Sequence, residues 1–271
     1  MFSLANGSLE VQLLDPVADR ARFGVRYCTG GYIFQIVDAT HGDLLTGPTF
    51  PDSFNWFDGQ GIPDAFNLGP LHSTTTLGHA LIIGIGVCDL PAKAVRTFCD
   101  WKIERDATSA EFTTQQTYED HALTLTRTVT LLDRTIRSHT TLRNDGKAAA
   151  IPMRWFPHPF YPQTATDELL WVNAPLDWRD ANGYTQSRNG FIARTGWPWK
   201  DGKYLPLDHH ATAPLVLLQR HPKLGMVSAA CSYVPDFFPI WGNGATFSWE
   251  PFFERSVAPR QSVSWWIDYS F

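Results

Sequence analysis

The chain has 271 residues, a formal net charge of −5, 18% charged residues and 14% aromatic residues. So few charges among so many apolar and aromatic side chains exclude a disordered chain or a coiled coil, and the length is ample for a core without disulfide or metal staples. A mildly acidic chain without a basic block also lacks the electrostatic footprint of a nucleic-acid binder.

The first ten residues have neither a basic start nor an apolar stretch, so no signal peptide is legible and a cytoplasmic location is expected. Cys28, Cys88, Cys99 and Cys231 are scattered without CxxC spacing and read as reduced thiols. The segment Gly42 to Leu71 is rich in Gly, Pro, Asp and Phe. Its aromatic content suits an ordered loop lying over other structure better than a free linker. Within it, Asp58 to Asn67 is expected to face a pocket. The longest apolar run, Ala80 to Val87, holds two glycines and falls far short of the ~20 residues that span a bilayer, so no membrane partner is expected. Gly84-Ile85-Gly86 opens like a dinucleotide fingerprint, but Asp89 stands where the third glycine belongs.

From there onward the pattern is β. Phe112 to Tyr118 alternates. Leu123, Leu125, Arg127, Val129 and Leu131 alternate with Thr124, Thr126, Thr128 and Thr130, and Ile136 to Leu142 repeats the habit. A period of two fits strands with two different faces. The breaks at Glu119-Asp120, Asp133-Arg134 and Asn144 to Lys147 are turn-like, which predicts an antiparallel meander. Asp177 to His210 reads as a second long loop, holding Trp178, Tyr184, Trp197, Trp199 and Tyr204. At its end, Asp208-His209-His210 lacks metal-ligand spacing and reads as a polar strand start. Leu215 to Gln219 pairs with Met226 to Cys231, and Thr246 to Phe253 with Val263 to Tyr269 around the turn Ala258 to Gln261. Helical patterning is almost absent. The expected architecture is all-β: one large antiparallel β-sandwich over residues 1–271 with aromatic-lined loops.

Two segments carry chemistry. In Arg154 to Pro162, extended backbone puts Arg154, Phe156, His158 and Phe160 on one face. Prolines on both sides of His158 remove ladder donors and place it at a strand end. Such an imidazole either moves protons in a cleft or is a packed ring bonded to a backbone carbonyl. In Thr246 to Arg255, Ser248, Glu250 and Phe252 share a face, with Trp249 opposite. A carboxylate in so aromatic a strand is paired with a neighbouring arginine or lines a wet pocket. Arg154 has a similar alternative, an ion pair with a strand carboxylate.

Taken together, these segments resemble the galactose mutarotase-like (aldose 1-epimerase) superfamily. The matching pieces are Asn144-Asp145-Gly146, then His158-Pro159-Phe160-Tyr161, then Trp249-Glu250-Pro251-Phe252. Ala258 to Gln261 with Trp265-Trp266 is similar to the family's closing motif, and Asp236 to Trp241 to its aromatic strand before the glutamate. In the front half Gly30 to Ile33 resembles an early strand. The family's early Asn-Arg and His-Gly motifs have no counterpart, and Asp201 and Asp208 are the nearest stand-ins for its central aspartate. The resemblance implies the supersandwich fold and a sugar as small-molecule substrate. It also implies anomer interconversion without metal or cofactor, with Glu250 as base and His158 as acid. Arg26, Gln60, Asp64, Arg154, Asp236 and Trp241 are the candidate sugar binders. A non-catalytic carbohydrate-binding module and a lyase on the same sandwich stay open, because one fold hosts several chemistries.

Overall fold

The computed structural model describes residues 1–51, 54–66, 71–177 and 181–271; Asn67 and Trp178, named above, lie outside the described residues. A single turn of 3-10 helix, Arg20–Arg22, is the one helical element among them. The rest of the regular structure is strand.

The alternating segments form the centre of a ten-stranded antiparallel sheet. Ser109–Tyr118, His121–Leu132 and Thr135–Asn144 make the expected meander, joined by two-residue turns with left-handed backbone at Glu119 and Asp133. Leu123, Leu125, Val129 and Leu131 are buried, and the intervening threonines are half-buried on the other face. Arg127 is the one charge in the buried row.

Beside the meander lies the final strand, Ser262–Ser270, and then Gly225–Cys231 and Val216–His221. This corrects the expected last hairpin: the terminal strand does not pair with Thr246 to Phe253. Pro251 has no N–H and breaks that run into Thr246–Trp249 and Phe253–Val257, which join two smaller sheets instead. Thr246–Trp249 lies between Tyr161–Pro162 and Phe238–Gly242, whereas Phe253–Val257 pairs with Ile151–Pro157.

A second correction concerns Asp177 to His210. It is not one loop, since it carries the strands Tyr184–Gln186, Ile192–Arg194 and Lys203–His209. Two of these are three residues long, too short to show a period, and aromatic packing such as Tyr184 on Trp199 (4.9 Å between centroids) holds them. All four cysteines are free thiols.

The smaller sheets pack on the large one through aromatic side chains. Trp265 of the final strand meets Trp155 at 5.3 Å and Phe253 at 5.2 Å, and Tyr269 meets Trp249 at 6.0 Å. Strand alternation then fixes what lies on the far side. With Phe247 and Trp249 in the core, Ser248 and Glu250 face away from it, and with Trp155 in the core so does Phe156. Asn144 ties the layers together: its amide donates to the carbonyls of Ala149 and Val257, both at 2.9 Å, and its side-chain oxygen accepts the N–H of Gly146.

Candidate active site

His158 stands one residue beyond the strand Ile151–Pro157. The flanking prolines have no N–H, so the local backbone is anchored by His158, which donates to the carbonyl of Pro63 (2.7 Å), and by Phe160, which donates to Gly61 (2.7 Å). The carbonyl of Phe160 accepts the N–H of Thr46 at 3.0 Å. The ring of His158 stacks on Phe160 with centroids 4.3 Å apart and meets the edges of Tyr27 and Trp241. With Phe156 at 6.1 Å as well, four aromatic neighbours leave it little freedom of rotation.

Glu250 follows the strand Thr246–Trp249 directly, and its N–H donates to the carbonyl of Pro239 at 2.9 Å. Its Oε1 lies 3.3 Å from Nε2 of His158, and the Oγ of Ser248, on the same face, lies 2.9 Å from Nδ1. One strand end therefore engages both nitrogens of the imidazole.

The pair opens on a cavity of about 240 Å³. Phe160, Trp241, Tyr204 and Phe57 give it aromatic walls, and Arg26, Asp58 and Pro48 complete it. Arg26 donates to the carbonyl of Phe57 (2.8 Å), and its guanidinium lies 4.3 Å from the Phe57 ring centroid and 5.0 Å from that of Tyr27. Asp58 accepts from Asn55 Nδ2 (2.7 Å) and Thr49 Oγ1 (3.1 Å), while the Asn55 side-chain oxygen accepts the N–H groups of Phe57 and Asp58. This Asx-type turn fixes the roof.

Burial sets the charge state. Glu250 is 7% exposed, and loss of water raises its carboxyl from 4.5 to about 8, against the opposing pull of Arg26. His158 is driven well below its ordinary value, first by burial and then by repulsion from Arg26. At neutral pH the free pair therefore holds one proton, carried by the carboxyl, beside a neutral imidazole. Two buried groups sharing one proton at an aromatic-walled cavity can give and take protons on opposite sides of a bound molecule.

Of the residues expected from sequence, His158, Glu250, Arg26 and Trp241 meet at this cavity. The other four have different placements. Asp64 is buried in a bidentate ion pair with Arg127 of the ten-stranded sheet, on the core side of its strand. Gln60 is fully buried beside Tyr32, whose hydroxyl accepts its backbone N–H at 3.1 Å, and its side-chain amide has no protein partner among the described residues. Arg154 pairs with Glu254 at 2.8 Å and lies over the Phe252 ring. Asp236 accepts from the Glu254 N–H and from Arg255, and lines a separate open hollow with Asp208 and His209. None of these four lines the cavity: Asp64, Arg154 and Asp236 are held by ion pairs elsewhere, and Gln60 is buried beside Tyr32. Asp201 is exposed. Among the described residues no group of three His, Cys, Asp or Glu is placed to hold a metal ion.

The sequence reading missed Pro48 and the contact of Ser248 with His158. Asp58 was included only within a longer segment. The spacing Asn55-x-x-Asp58-Gly59 was a usable signal for the roof turn.

No protein-family model and no curated protein sequence matches the chain. Solved structures do. A putative aldose 1-epimerase from Escherichia coli K12 superposes with a TM-score of 0.62 at 12% identity, over 99% of this chain and 97% of that one. A galactose mutarotase related enzyme from Lactobacillus acidophilus gives 0.61 at 11%, over 99% and 96%. A galactose mutarotase-like protein from Lactobacillus casei gives 0.57 at 14%, over 100% and 99%. The chain has the galactose mutarotase-like β-sandwich fold; at these identities the likeness is one of fold.

Proposed function

We propose that this protein is an aldose 1-epimerase-like isomerase that interconverts the anomers of a monosaccharide, with His158 and Glu250 as its acid–base pair. One observation carries the reading: Nε2 of His158 and Oε1 of Glu250 converge to 3.3 Å at an aromatic-walled cavity.

Anomer interconversion needs two opposed proton movements. The C1 hydroxyl loses a proton while the ring oxygen O5 gains one. The C1–O5 bond then breaks to leave an aldehyde, C1 rotates, and closure on the other face reverses both transfers. Each assisted proton transfer typically contributes about 10²–10⁴-fold. The pair holds one proton before and after each cycle. In the empty cavity that proton rests on Glu250; its passage to Nε2 gives the carboxylate and imidazolium. In that form Glu250 takes the C1 hydroxyl proton and His158 protonates O5. A sugar hydroxyl donating to the carboxylate favours this form, because it replaces hydration lost on burial. Phe57, Tyr204 and Trp241 offer flat faces for the sugar's C–H surfaces, and Arg26 and Asp58 offer polar contacts.

The cavity's size supports a single sugar ring. At about 240 Å³ it lies below the ~300–1,000 Å³ of clefts that hold drug-sized ligands, which argues against a lyase acting on a polysaccharide. The test is saturation-transfer NMR between anomers across a panel of aldoses. Exchange above the buffer rate with at least one sugar is expected, falling to the buffer rate in folded Glu250→Gln and His158→Asn variants. Buffer-rate exchange with every sugar refutes the activity, and binding without exchange assigns a carbohydrate-binding module instead.

A further inference from the structure

Arg26 and Asp58 meet at one peptide of the cavity roof. Arg26 Nη1 donates to the carbonyl of Phe57 at 2.8 Å, and Asp58 is the next residue. Both side chains are half-buried and line the cavity, yet among the described residues they are not bonded to each other. Each is held by other partners. The guanidinium lies against the Phe57 and Tyr27 rings, at 4.3 and 5.0 Å from their centroids, and its remaining N–H groups have no protein acceptor among the described residues. Asp58 spends one carboxylate oxygen, Oδ2, on Asn55 Nδ2 and Thr49 Oγ1, and Oδ1 is left open. The roof therefore presents a fixed group that can only donate beside a fixed group that can only accept.

Alone, a rigid guanidinium with unused donors would be a site for phosphate or carboxylate. Asp58 cancels that preference. The other titratable groups on the lining are His158, Glu250 and Tyr204. An acid–base pair holding one proton has no net charge whichever partner carries it, and the phenol is neutral, so the lining as a whole is neutral. A charged substituent on a sugar in a cavity of about 240 Å³ gives up hydration and is attracted by one roof group while the other repels it. Two hydroxyls meet no such conflict. One oxygen accepts from Arg26, and the other hydroxyl donates to Asp58.

We propose that Arg26 and Asp58 are the charge filter of the cavity: together they bind two hydroxyls of an uncharged aldose and reject sugar phosphates, uronic acids and protonated amino sugars. The consequence for catalysis rests on the isomerase reading above, whereas the binding preference does not. Asp58 is the specificity-determining member for anions. Its carboxylate contributes one attractive contact to the right ligand and a repulsive one to the wrong ligand, which is how a difference in affinity is built.

The experiment measures Kd by calorimetry and anomer exchange by saturation-transfer NMR. The probes are glucose and galactose, their 6-phosphates, glucuronate and galacturonate, and glucosamine and galactosamine at neutral pH. The wild type is expected to bind at least one neutral sugar at least about tenfold more tightly than each of its charged counterparts, the effect of one hydrogen bond to a charged group. Asp58→Asn keeps the shape and removes the charge, and should shift the ratio of phosphate to parent sugar by at least about tenfold toward the phosphate. Arg26→Met should shift the ratio of amino sugar to parent sugar in the same way. A wild type that binds a phosphate or uronate as tightly as the parent sugar overturns the proposal, and so does an Asp58→Asn protein with an unchanged ratio. If one variant does not fold, the wild-type ranking and the other variant decide. The expected ranking in binding without any exchange leaves the filter standing and sinks the isomerase reading. Exchange of neutral and charged sugars alike does the reverse, and absence of binding by every sugar overturns both.

Discussion

Replacing Glu250 by Gln tests the buried carboxyl without reference to any substrate. The folded protein holds this carboxyl at about 8, against 4.5 when it is freely solvated, and the principal cause is burial. Between those values the folded state keeps a proton that the unfolded state releases, so stability falls as pH rises, by at most 1.36 kcal/mol per pH unit. His158 does not confuse the upper part of this window. Its folded value lies well below 6.5, so its own contribution fades within about one unit above that pH and is shared by both proteins. From about pH 6.5 to about 8.5 the wild type should lose roughly 2 kcal/mol through Glu250, allowing for the slope that fades near pH 8. The side-chain amide introduced by Glu250→Gln does not titrate, so this variant should gain that amount on the wild type across the window. With a urea m-value of roughly 2–3 kcal/mol per molar, the difference between the two midpoints should change by about 0.7–1 M. The assay is urea unfolding of both proteins at several pH values in that range, with m constant. Parallel profiles would refute the argument, because they would mean that the Glu250 carboxyl already titrates near its freely solvated value in the folded protein.

Three further outcomes follow from the same geometry. Anomer exchange should be nearly flat from about pH 6 to 7 and fall to half near 8 as the pair loses its one proton; an activity that instead climbs through pH 8 would exclude the protonated pair as the catalyst. Arg26→Met removes the cation that opposes burial at Glu250, so the upper limb of the exchange profile should move to higher pH, and an unmoved limb would show that its field does not reach the carboxyl. Asp64→Asn leaves the Arg127 guanidinium buried without its carboxylate. It should cost about 3–5 kcal/mol in urea unfolding while leaving the KM of the folded fraction unchanged, and a raised KM with intact stability would return Asp64 to the sugar site.

The part of the fold that could be read in advance is the part where each strand has two unlike faces. In His121–Leu132 the leucines and Val129 go inward and the threonines outward, because the sheet is covered on one side only. The same logic placed Ser248 and Glu250 opposite Trp249, and His158 on the face of Phe156 and Phe160. The terminal pairing was not legible. Thr246 to Phe253 reads as one aromatic strand; Pro251 marks a break in it, but nothing local says which sheets its halves join or that the chain end belongs to a third. Arg26 is legible as a cavity residue, but which aspartate reaches the cavity is not. Asp64 and Asp58 look alike in sequence, each beside glycines or prolines in the same aromatic loop. What separates them is Arg127, sixty-three positions away, whose guanidinium takes Asp64 out of the pocket side. Asp58, by contrast, is held at the cavity by Asn55, three residues before it.

That contrast bears on how the site is built. Each member of the proposed acid–base pair stands where proline stops a strand: His158 between Pro157 and Pro159, Glu250 before Pro251. A backbone that cannot ladder with a neighbouring strand must find other partners for its remaining N–H groups. His158 and Phe160 find theirs in the carbonyls of Pro63 and Gly61, and Glu250 finds its partner in Pro239. Gly61 in turn donates to Thr46, and Thr46 to Phe160, so that the stretch from Thr46 to Pro63, which carries Phe57 and Asp58, is bonded to the same backbone that holds the imidazole. The segment Gly42 to Leu71 is therefore scaffold where it meets the pair. Thr46, Gly61 and Pro63 share their hydrogen bonds with the backbone of His158 and Phe160. On the isomerase reading proposed above, a loop whose ends are bonded to the backbone of the imidazole sets where His158 stands relative to Glu250 and the aromatic walls before a sugar enters.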